Sequence, residues 1–209
     1  MDDQPTEKRK VLDIIKSNLR IIISIFLVFI VGSFFYAWIN FKEDSKKVNL
    51  SEEFINAKVM LSQNKSNEAY KILKKIIQNK DNTYSVLSLY LVIDQDLEKD
   101  RKKVINYFNE VLSINTLKNE DLDLLKFKKA IFISNESNEK ELLDLLNPII
   151  NSDSVWKAQS IRFLADFYFS KKEYKKADQY YSTLLDLENS NIDINEIKRK
   201  IKTYKKWKI

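Results

Sequence analysis

The carboxylates are the residues whose type and grouping come closest to a catalytic or metal-binding site. Paired carboxylates can transfer protons or bind a divalent cation. Neighbouring positions on a helix point in different directions, however, and acidic residues at a helix start interact favourably with its dipole. We therefore interpret these groups as solvated residues at helix starts. They lie at Glu52 and Glu53, at Asp94 and Asp96, and at Glu120, Asp121 and Asp123.

Most other catalytic residue types are missing from the sequence. It has no Cys, no His and a single Gly, Gly32. Zinc clusters, thiol nucleophiles and Ser-His-Asp triads are thereby excluded. Glycine-rich loops that bind phosphate are excluded as well. We predict a protein that is not an enzyme, with no cofactor, no metal and no small-molecule substrate. A membrane-bound enzyme that uses Glu120, Asp121 and Asp123 is a minor alternative.

A dense basic run lies near the C-terminus, and such a run could contact phosphate on nucleic acid or lipid. Beyond residue 191, apolar residues recur at spacings of three and four, at Ile194, Ile197, Ile201 and Tyr204. This spacing predicts a capping helix with lysines on its outer surface. The net charge of +6 comes from positive and negative residues that are interleaved along most of the chain. We therefore expect no nucleic-acid partner. The run comprises Lys198, Arg199, Lys200, Lys202, Lys205, Lys206 and Lys208, with Tyr204 and Trp207.

Helical segments of about 12 to 16 residues follow one another after residue 50, separated by turns rich in Asn, Ser, Asp and Lys. In the last pair, apolar residues share one face of each helix: Ile161, Leu164, Ala165 and Tyr168 in the first, and Ala177, Tyr181 and Leu184 in the second. This spacing resembles a tetratricopeptide repeat. The second-helix anchors Ala69, Val104, Leu142 and Ala177 recur every 35 to 38 residues. The predicted fold class is all-α: a tetratricopeptide-like solenoid of about four helical hairpins with a C-terminal capping helix.

Some local features refine this prediction. Ser66, Asp100 and Asn138 are predicted to cap helix starts. Pro148 is predicted to end or kink its helix near Asn147, because proline lacks a backbone donor and clashes with the preceding turn. The tyrosines and phenylalanines of the segments YLVIDQ, YFNEVL, FYFSKKEY and QYYSTLL occur at helical spacing, so we assign these stripes to the core and not to a ligand cage.

An uncharged run from Ile21 to Ile39 predicts a transmembrane helix. Its nineteen residues would span about 29 Å, against a hydrocarbon core of roughly 30 Å. No small-residue cleavage site follows it, so the anchor is predicted to be retained. The predicted organisation is a cytoplasmic head (1–20), an anchor (21–39), a linker (40–50) and the helical repeat domain (51–209). Five basic residues precede the span, and four lie in the matching stretch after it, at Lys42, Lys46, Lys47 and Lys58. We favour the orientation that exports the domain.

Stacked helical hairpins leave a concave face lined by the first helices, where side chains beside the core stripe are available to a protein partner. By repeat position, the candidate groove residues are Phe54, Lys58, Leu89, Ile93, Arg162, Asp166 and Phe169.

The short head, the single span and the C-terminal segment VWKAQSIRFLADFYFSKKEYKKADQYYSTLLD together resemble the YfgM-type ancillary subunit of the SecYEG translocon, in its alphaproteobacterial form. The resemblance implies an inner-membrane protein whose domain faces the periplasm and binds the translocon and periplasmic folding factors. It carries no catalytic motif. We therefore predict a non-enzymatic, membrane-tethered adaptor. The alternatives are an envelope-assembly or cell-division scaffold of the same architecture and a cytoplasm-facing module that binds nucleic acid.

Overall fold

The computed structural model describes residues 18–135 and 139–187, together with 198, 199 and 202. These residues are helical or lie in turns, and none of them is in a strand, which confirms the predicted all-α class. In residues 18–187 the helices are α1 (Leu19–Ser62), α2 (Ser66–Gln78), α3 (Tyr84–Asp94), α4 (Arg101–Leu112), α5 (Asn119–Ile133), α6 (Glu139–Ile150), α7 (Lys157–Ser170) and α8 (Tyr174–Leu185).

Helix α1 contains the predicted anchor and extends well beyond it. Its most apolar stretch has a mean hydropathy of 2.4 and is 0% buried, and the helix is long and apolar enough to cross a membrane. The predicted linker, residues 40–50, is helical and continuous with the anchor. The physical reason is composition: this stretch has no Gly or Pro and is rich in Lys, a good helix former. By compactness the chain divides into Met1–Ile55 and Asn56–Ile209.

The helices from α2 to α8 each pack against the next one along the chain, and α2 also packs against α4. A continuous core cluster runs from α5 to α8. All the apolar residues predicted to face the core in the last helical pair are buried. The core of this region comprises Ala130, Ile133, Leu142, Leu146, Ile149, Ile161, Leu164, Ala165, Tyr168, Ala177, Tyr181 and Leu184. Assignment of the helices to the tetratricopeptide class stays a prediction.

Helix starts differ in how they are capped. Asp100 is a cap as predicted, because the backbone N–H of Lys102 donates to its Oδ1 at 3.0 Å. The prediction for Ser66 is wrong: Ser66 is the first helical residue, and Lys65 occupies the cap position without a side-chain hydrogen bond. The tight turn through Asn64 explains the shift, because it places Lys65 directly before the first helical turn. Asn138 lies outside the described residues.

Proline 148 does not end its helix at Asn147. Helix α6 continues to Ile150, with Pro148 inside it, and the N–H of Asn151 still donates to the carbonyl of Asn147 at 3.0 Å. Pro148 lies in the last turn of the helix. Proline therefore removes one backbone donor there and leaves the following bond intact.

Within the described residues, four turns use left-handed backbone geometry without glycine. The residues with positive φ are Asn64 (59°), Lys80 (54°), Asp96 (49°) and Lys172 (64°). At Lys172 the next residue, Glu173, donates its N–H to the carbonyl of Tyr168 at 2.9 Å, the hydrogen bond of a Schellman motif. Asn and Asp adopt this geometry more readily than other residues that have a side chain, yet two of the four positions are lysines. The terminal hydrogen bonds of the helix impose the turn on whichever residue stands there.

The predicted capping helix falls largely on residues outside the described ones. Ile194, Ile197, Ile201 and Tyr204 are among the undescribed residues. Of the basic run, Lys198, Arg199 and Lys202 are described, and they are helical and exposed.

Candidate partner-binding groove

Aromatic side chains connect α5 to α7. The ring of Phe127 on α5 makes an edge contact with Phe163 on α7, with 6.0 Å between centroids. It also stacks on Trp156, directly before α7, at 6.1 Å. Aromatic pairs at such distances stabilise the packing of the two helices by more than the burial of apolar surface alone. The first helices of the last two predicted hairpins are therefore held side by side.

A second contact joins α3 to α5. The Lys128 ammonium lies 4.6 Å from the ring centroid of Tyr90, within the range of a cation–π interaction. Burial, and secondarily the charge of Asp121, raises the pKa of Tyr90 to about 12. The hydroxyl of Tyr90 therefore stays neutral at physiological pH. Side chains of α3, α5 and α7 thus meet laterally, as neighbouring first helices of a solenoid would.

An open depression of about 340 Å³ lies between the C-terminal end of α5 and α7. Phe163 and Phe167, one helical turn apart, are half-buried and give it apolar walls. At the rim of the depression, the Lys171 ammonium lies over the ring of Phe167, 5.6 Å from the ring centroid. Apolar walls with a polar rim suit the side chains of a protein segment. We call this depression the α5–α7 groove; its lining residues are Ser134, Asn135, Phe163, Asp166, Phe167, Ser170 and Lys171.

Asp166 is held in the wall of the α5–α7 groove by α8. The Tyr181 hydroxyl donates to Oδ1 of Asp166 at 2.5 Å. Arg162 is on α7, as Asp166 is, and its Nε lies 3.8 Å from Oδ2 of Asp166. Because Tyr181 is itself 2% exposed, its hydroxyl fixes the carboxylate from the core side. The groove wall therefore carries a positioned acidic group beside two phenylalanines.

Two carboxylates outside the groove fasten helices together. Glu139 accepts hydrogen bonds from Lys176 on α8 and from Tyr168 on α7, and these bonds lower the pKa of Glu139. Glu98 accepts a hydrogen bond from the Tyr70 hydroxyl, which is the main cause of its lowered pKa. The Tyr70 hydroxyl also lies 2.8 Å from that of Tyr107. These contacts hold the helices in position.

The helix-start interpretation of the acidic groups holds only for α5. It is wrong for Glu52 and Glu53, which lie inside α1, and for Asp94 and Asp96, which lie at the C-terminal end of α3 and in the turn after it. Glu120 and Asp121 are in the first turn of α5. Glu120 and Asp123 line a shallow depression together with Asp153. Among the described residues, no group of three or more His, Cys, Asp or Glu is arranged to hold a metal ion.

The predicted groove residues do not all lie on one open surface. Arg162 and Asp166 lie beside each other on α7, and Asp166 lines the α5–α7 groove. Phe169 instead packs against Tyr174 across the turn to α8, with 5.5 Å between ring centroids. Leu89 is fully buried, so its assignment to an open face is wrong: α3 turns this leucine into the core. Ile93 and Phe54 are half-buried, and Lys58 is exposed.

One relative was found by comparison with known proteins. The chain is 27% identical over 182 residues to an ancillary SecYEG translocon subunit from Buchnera aphidicola subsp. Schizaphis graminum (strain Sg), covering 83% of this chain and 92% of the relative. The predicted resemblance to the YfgM-type ancillary subunit family is confirmed. No family profile matches the chain. No solved structure matches it either.

This family resemblance did not by itself identify the groove-lining residues. Phe167 was assigned to the core on the basis of helical spacing, Phe163 was not assigned, and Ser134 and Asn135 carried no signal. One signal was available: Phe163 and Phe167 directly follow Arg162 and Asp166, so all four share one broad face of α7. The partner across the groove, the end of α5, is about thirty residues distant in sequence. Its proximity follows only from the stacking of the hairpins.

Proposed function

We propose that this protein is a non-enzymatic, membrane-tethered adaptor that acts as an ancillary subunit of the SecYEG translocon. The observation that carries the proposal is the similarity to a translocon subunit along 92% of that relative's length. A match of this extent supports a shared architecture and not merely a shared repeat. The apolar helix α1 supports the membrane component of the proposal independently.

The proposed location is the inner membrane, crossed once by residues 21–39, with the N-terminus in the cytoplasm and the helical domain in the periplasm. Five basic residues precede the span and four lie in the matching stretch after it, so charge alone favours this orientation only slightly. The implied membership of a periplasm-facing family supports the same orientation.

Tethering supplies much of the proposed mechanism. Confinement to the membrane raises the effective concentration of the domain near another membrane complex, so a weak groove interaction suffices. The α5–α7 groove offers Phe163 and Phe167 as apolar contacts and Asp166 as an acidic one. We propose that it binds exposed segments of translocon subunits, periplasmic folding factors or exported chains.

Orientation is tested by fusing alkaline phosphatase to the C-terminus of the full chain. The enzyme is active only after export, so activity in intact cells supports a periplasmic domain. An expressed but inactive fusion would refute the proposed orientation. A matched fusion of a cytoplasm-active reporter at the same position should give the opposite result.

Partner binding is tested by purification of the full chain at native expression in mild detergent. We expect translocon subunits or a periplasmic chaperone to be recovered with it. A Phe163→Ser, Phe167→Ser variant should lose the groove-bound partner, whereas Val155→Ser should retain it, because Val155 is exposed but lies outside the groove. Recovery of neither partner class by the unaltered chain would refute the proposal. A partner list made up of envelope-assembly or cell-division proteins would favour the scaffold alternative.

A further inference from the structure

Helix α1 carries a line of exposed apolar side chains beyond the predicted span. Phe41, Val48 and Ile55 follow one another at intervals of seven residues and are 72%, 58% and 57% exposed. Leu50 lies two residues after Val48 and therefore roughly 200° around the helix from it. Leu50 is only 2% exposed. The helix therefore has two apolar faces outside the predicted span, and the one that contains Val48 is open.

The open face continues a register that begins inside the predicted span. Leu27 and Phe34 precede Phe41 at the same interval and are 59% and 74% exposed. Five apolar residues thus occupy one heptad position along roughly 42 Å of continuous helix. Such a repeat is the position-a pattern of a coiled coil, in which two helices supercoil so that the seam stays between them.

We propose that this face pairs in parallel with α1 of a second copy of the chain. Charge complementarity selects this partner. With Phe41, Val48 and Ile55 at position a, Lys47 occupies position g and Glu52 the next position e, and both are exposed. In a parallel pair, g of one helix faces the following e of the other. Two helices in register therefore place Lys47 of each copy beside Glu52 of the other.

Anchoring sets both the direction and the register. Two copies that cross the same membrane in the same direction present their seams at equal depth. The intervening d positions outside the span, Asp44 and Ser51, are polar. The seam there is consequently weak, and it depends on confinement in the membrane to bring the helices together. The inference rests on the proposed anchoring of α1 and does not depend on the translocon.

The pairing is tested by cysteine cross-linking of the full chain in native membranes. The chain contains no cysteine, so single substitutions give disulfides only at the chosen site. Val48→Cys and Ile55→Cys should form dimers of twice the chain mass under mild oxidation. Lys46→Cys, exposed on the opposite face, is the matched control and should cross-link several-fold less. Equal yields at the three sites, no dimer at Val48, or a cross-link to a different protein would each overturn the proposal.

Charge reversal tests the parallel register in the Val48→Cys background. Lys47→Glu and Glu52→Lys should each reduce the dimer yield roughly two- to fivefold, because each alters both interhelical pairs. The double variant restores opposite charges and should recover the yield. Asp44→Leu should raise it by making position d apolar. Failure of the double variant to recover, with equal amounts of protein in the membrane fraction, would overturn the parallel pairing. Copurification of translocon subunits is scored separately, so either proposal can fail alone.

Discussion

Tyr168, in α7, donates its hydroxyl hydrogen to Oε1 of Glu139, the first residue of α6, across 2.7 Å. Lys176 on α8 reaches both oxygens of the same carboxylate, at 2.8 and 3.0 Å. The rings of Tyr168 and Tyr180 stack at 5.5 Å beside this contact. Burial and the bond to Glu139 raise the pKa of Tyr168, whereas the bonds from Lys176 and Tyr168 lower that of Glu139. One carboxylate therefore fastens three helices.

Replacing Glu139 with Gln should make stability less dependent on pH. Because the folded state lowers the pKa of Glu139, its stabilisation is present above the unfolded pKa and is lost as pH falls through the folded pKa. The variant should be less stable at neutral pH, by less than about 1 kcal/mol, since solvent screens the half-exposed pair. The difference from the unaltered chain should vanish in acid.

Thermal unfolding of the full chain in mild detergent, at neutral and acid pH, measures the effect of Glu139→Gln. Asp144→Asn is the control, because Asp144 pairs with Lys140 on the same helix and on the surface, at 3.0 Å. An equal effect of the two substitutions, or a loss that persists unchanged in acid, would contradict the assigned role of Glu139.

Ala165→Leu should destabilise the last hairpin. Ala165 on α7 is fully buried and Ala177 on α8 is 2% exposed, so these positions accommodate little more than a methyl group. Overpacking of this kind costs about 1–3 kcal/mol. The melting temperature of the full chain should fall by about 2–4 °C for each kcal/mol lost. Gln159→Leu, exposed on the same helix, should leave it nearly unchanged, and similar losses from both would argue against close packing at Ala165.

Two buried serines on α3 should respond differently to alanine. Ser85 donates its hydroxyl hydrogen to the carbonyl of Ile76 at 2.7 Å and accepts from the N–H of Asp81 at 2.9 Å. Within the described part of the chain, the buried hydroxyl of Ser88 has no hydrogen-bond partner. Ser85→Ala should therefore cost about 1 kcal/mol, and Ser88→Ala should be neutral or stabilising. Denaturant unfolding of both variants measures this; a larger loss at Ser88 would refute the assignment.

Lys172→Gly should stabilise the α7–α8 turn. Lys172 has φ of 64°, a conformation that costs a residue with a side chain roughly 1–2 kcal/mol. Glycine adopts it freely but loses more backbone entropy on folding, so the net gain should be about 0.5–1 kcal/mol. Lys175→Gly, inside α8, is the control and should lower stability by about 1 kcal/mol. Loss of stability in both variants would contradict the prediction.

The sequence predicted the buried stripes well wherever a helix has one clearly apolar face. On α7 the spacing of Ile161, Leu164 and Tyr168 identifies the core side directly, and all three are buried. Helix α3 is apolar on all sides, so periodicity could not separate its faces. There the small residues Ser85 and Ser88 face the core, Leu89 joins them, and Leu87 is 41% exposed. Hydrophobicity alone would place the two serines on the surface and Leu87 in the core.

The α5–α7 groove was predicted only in part, for a different reason. Asp166 was identified from its place beside the core stripe, and it does line the groove. Ser134 and Asn135 contribute through the end of α5, and their proximity to Phe163 depends on how far one hairpin is displaced against the next. Residue spacing within a helix gives no information about the displacement between hairpins. It follows from the contacts of Phe127 with Phe163 and Trp156.

The glycine-free turns lower the stability of the fold, so glycine substitutions at these turns should raise it. The four left-handed residues in the described part of the chain are Asn, Lys, Asp and Lys. Replacing each with glycine would gain at most about 0.5–1 kcal/mol, most of it at the two lysines, and so at most roughly 2–4 kcal/mol in all. A typical domain has a net stability of only about 5–15 kcal/mol. The stabilisation from helical packing must therefore first offset the conformational cost of these four residues. Asn64, Lys80 and Asp96 do not line the α5–α7 groove, whereas Lys172 directly follows its lining residue Lys171. Glycine at the first three turns would therefore be a route to a more heat-resistant form of the protein that leaves the groove lining unchanged.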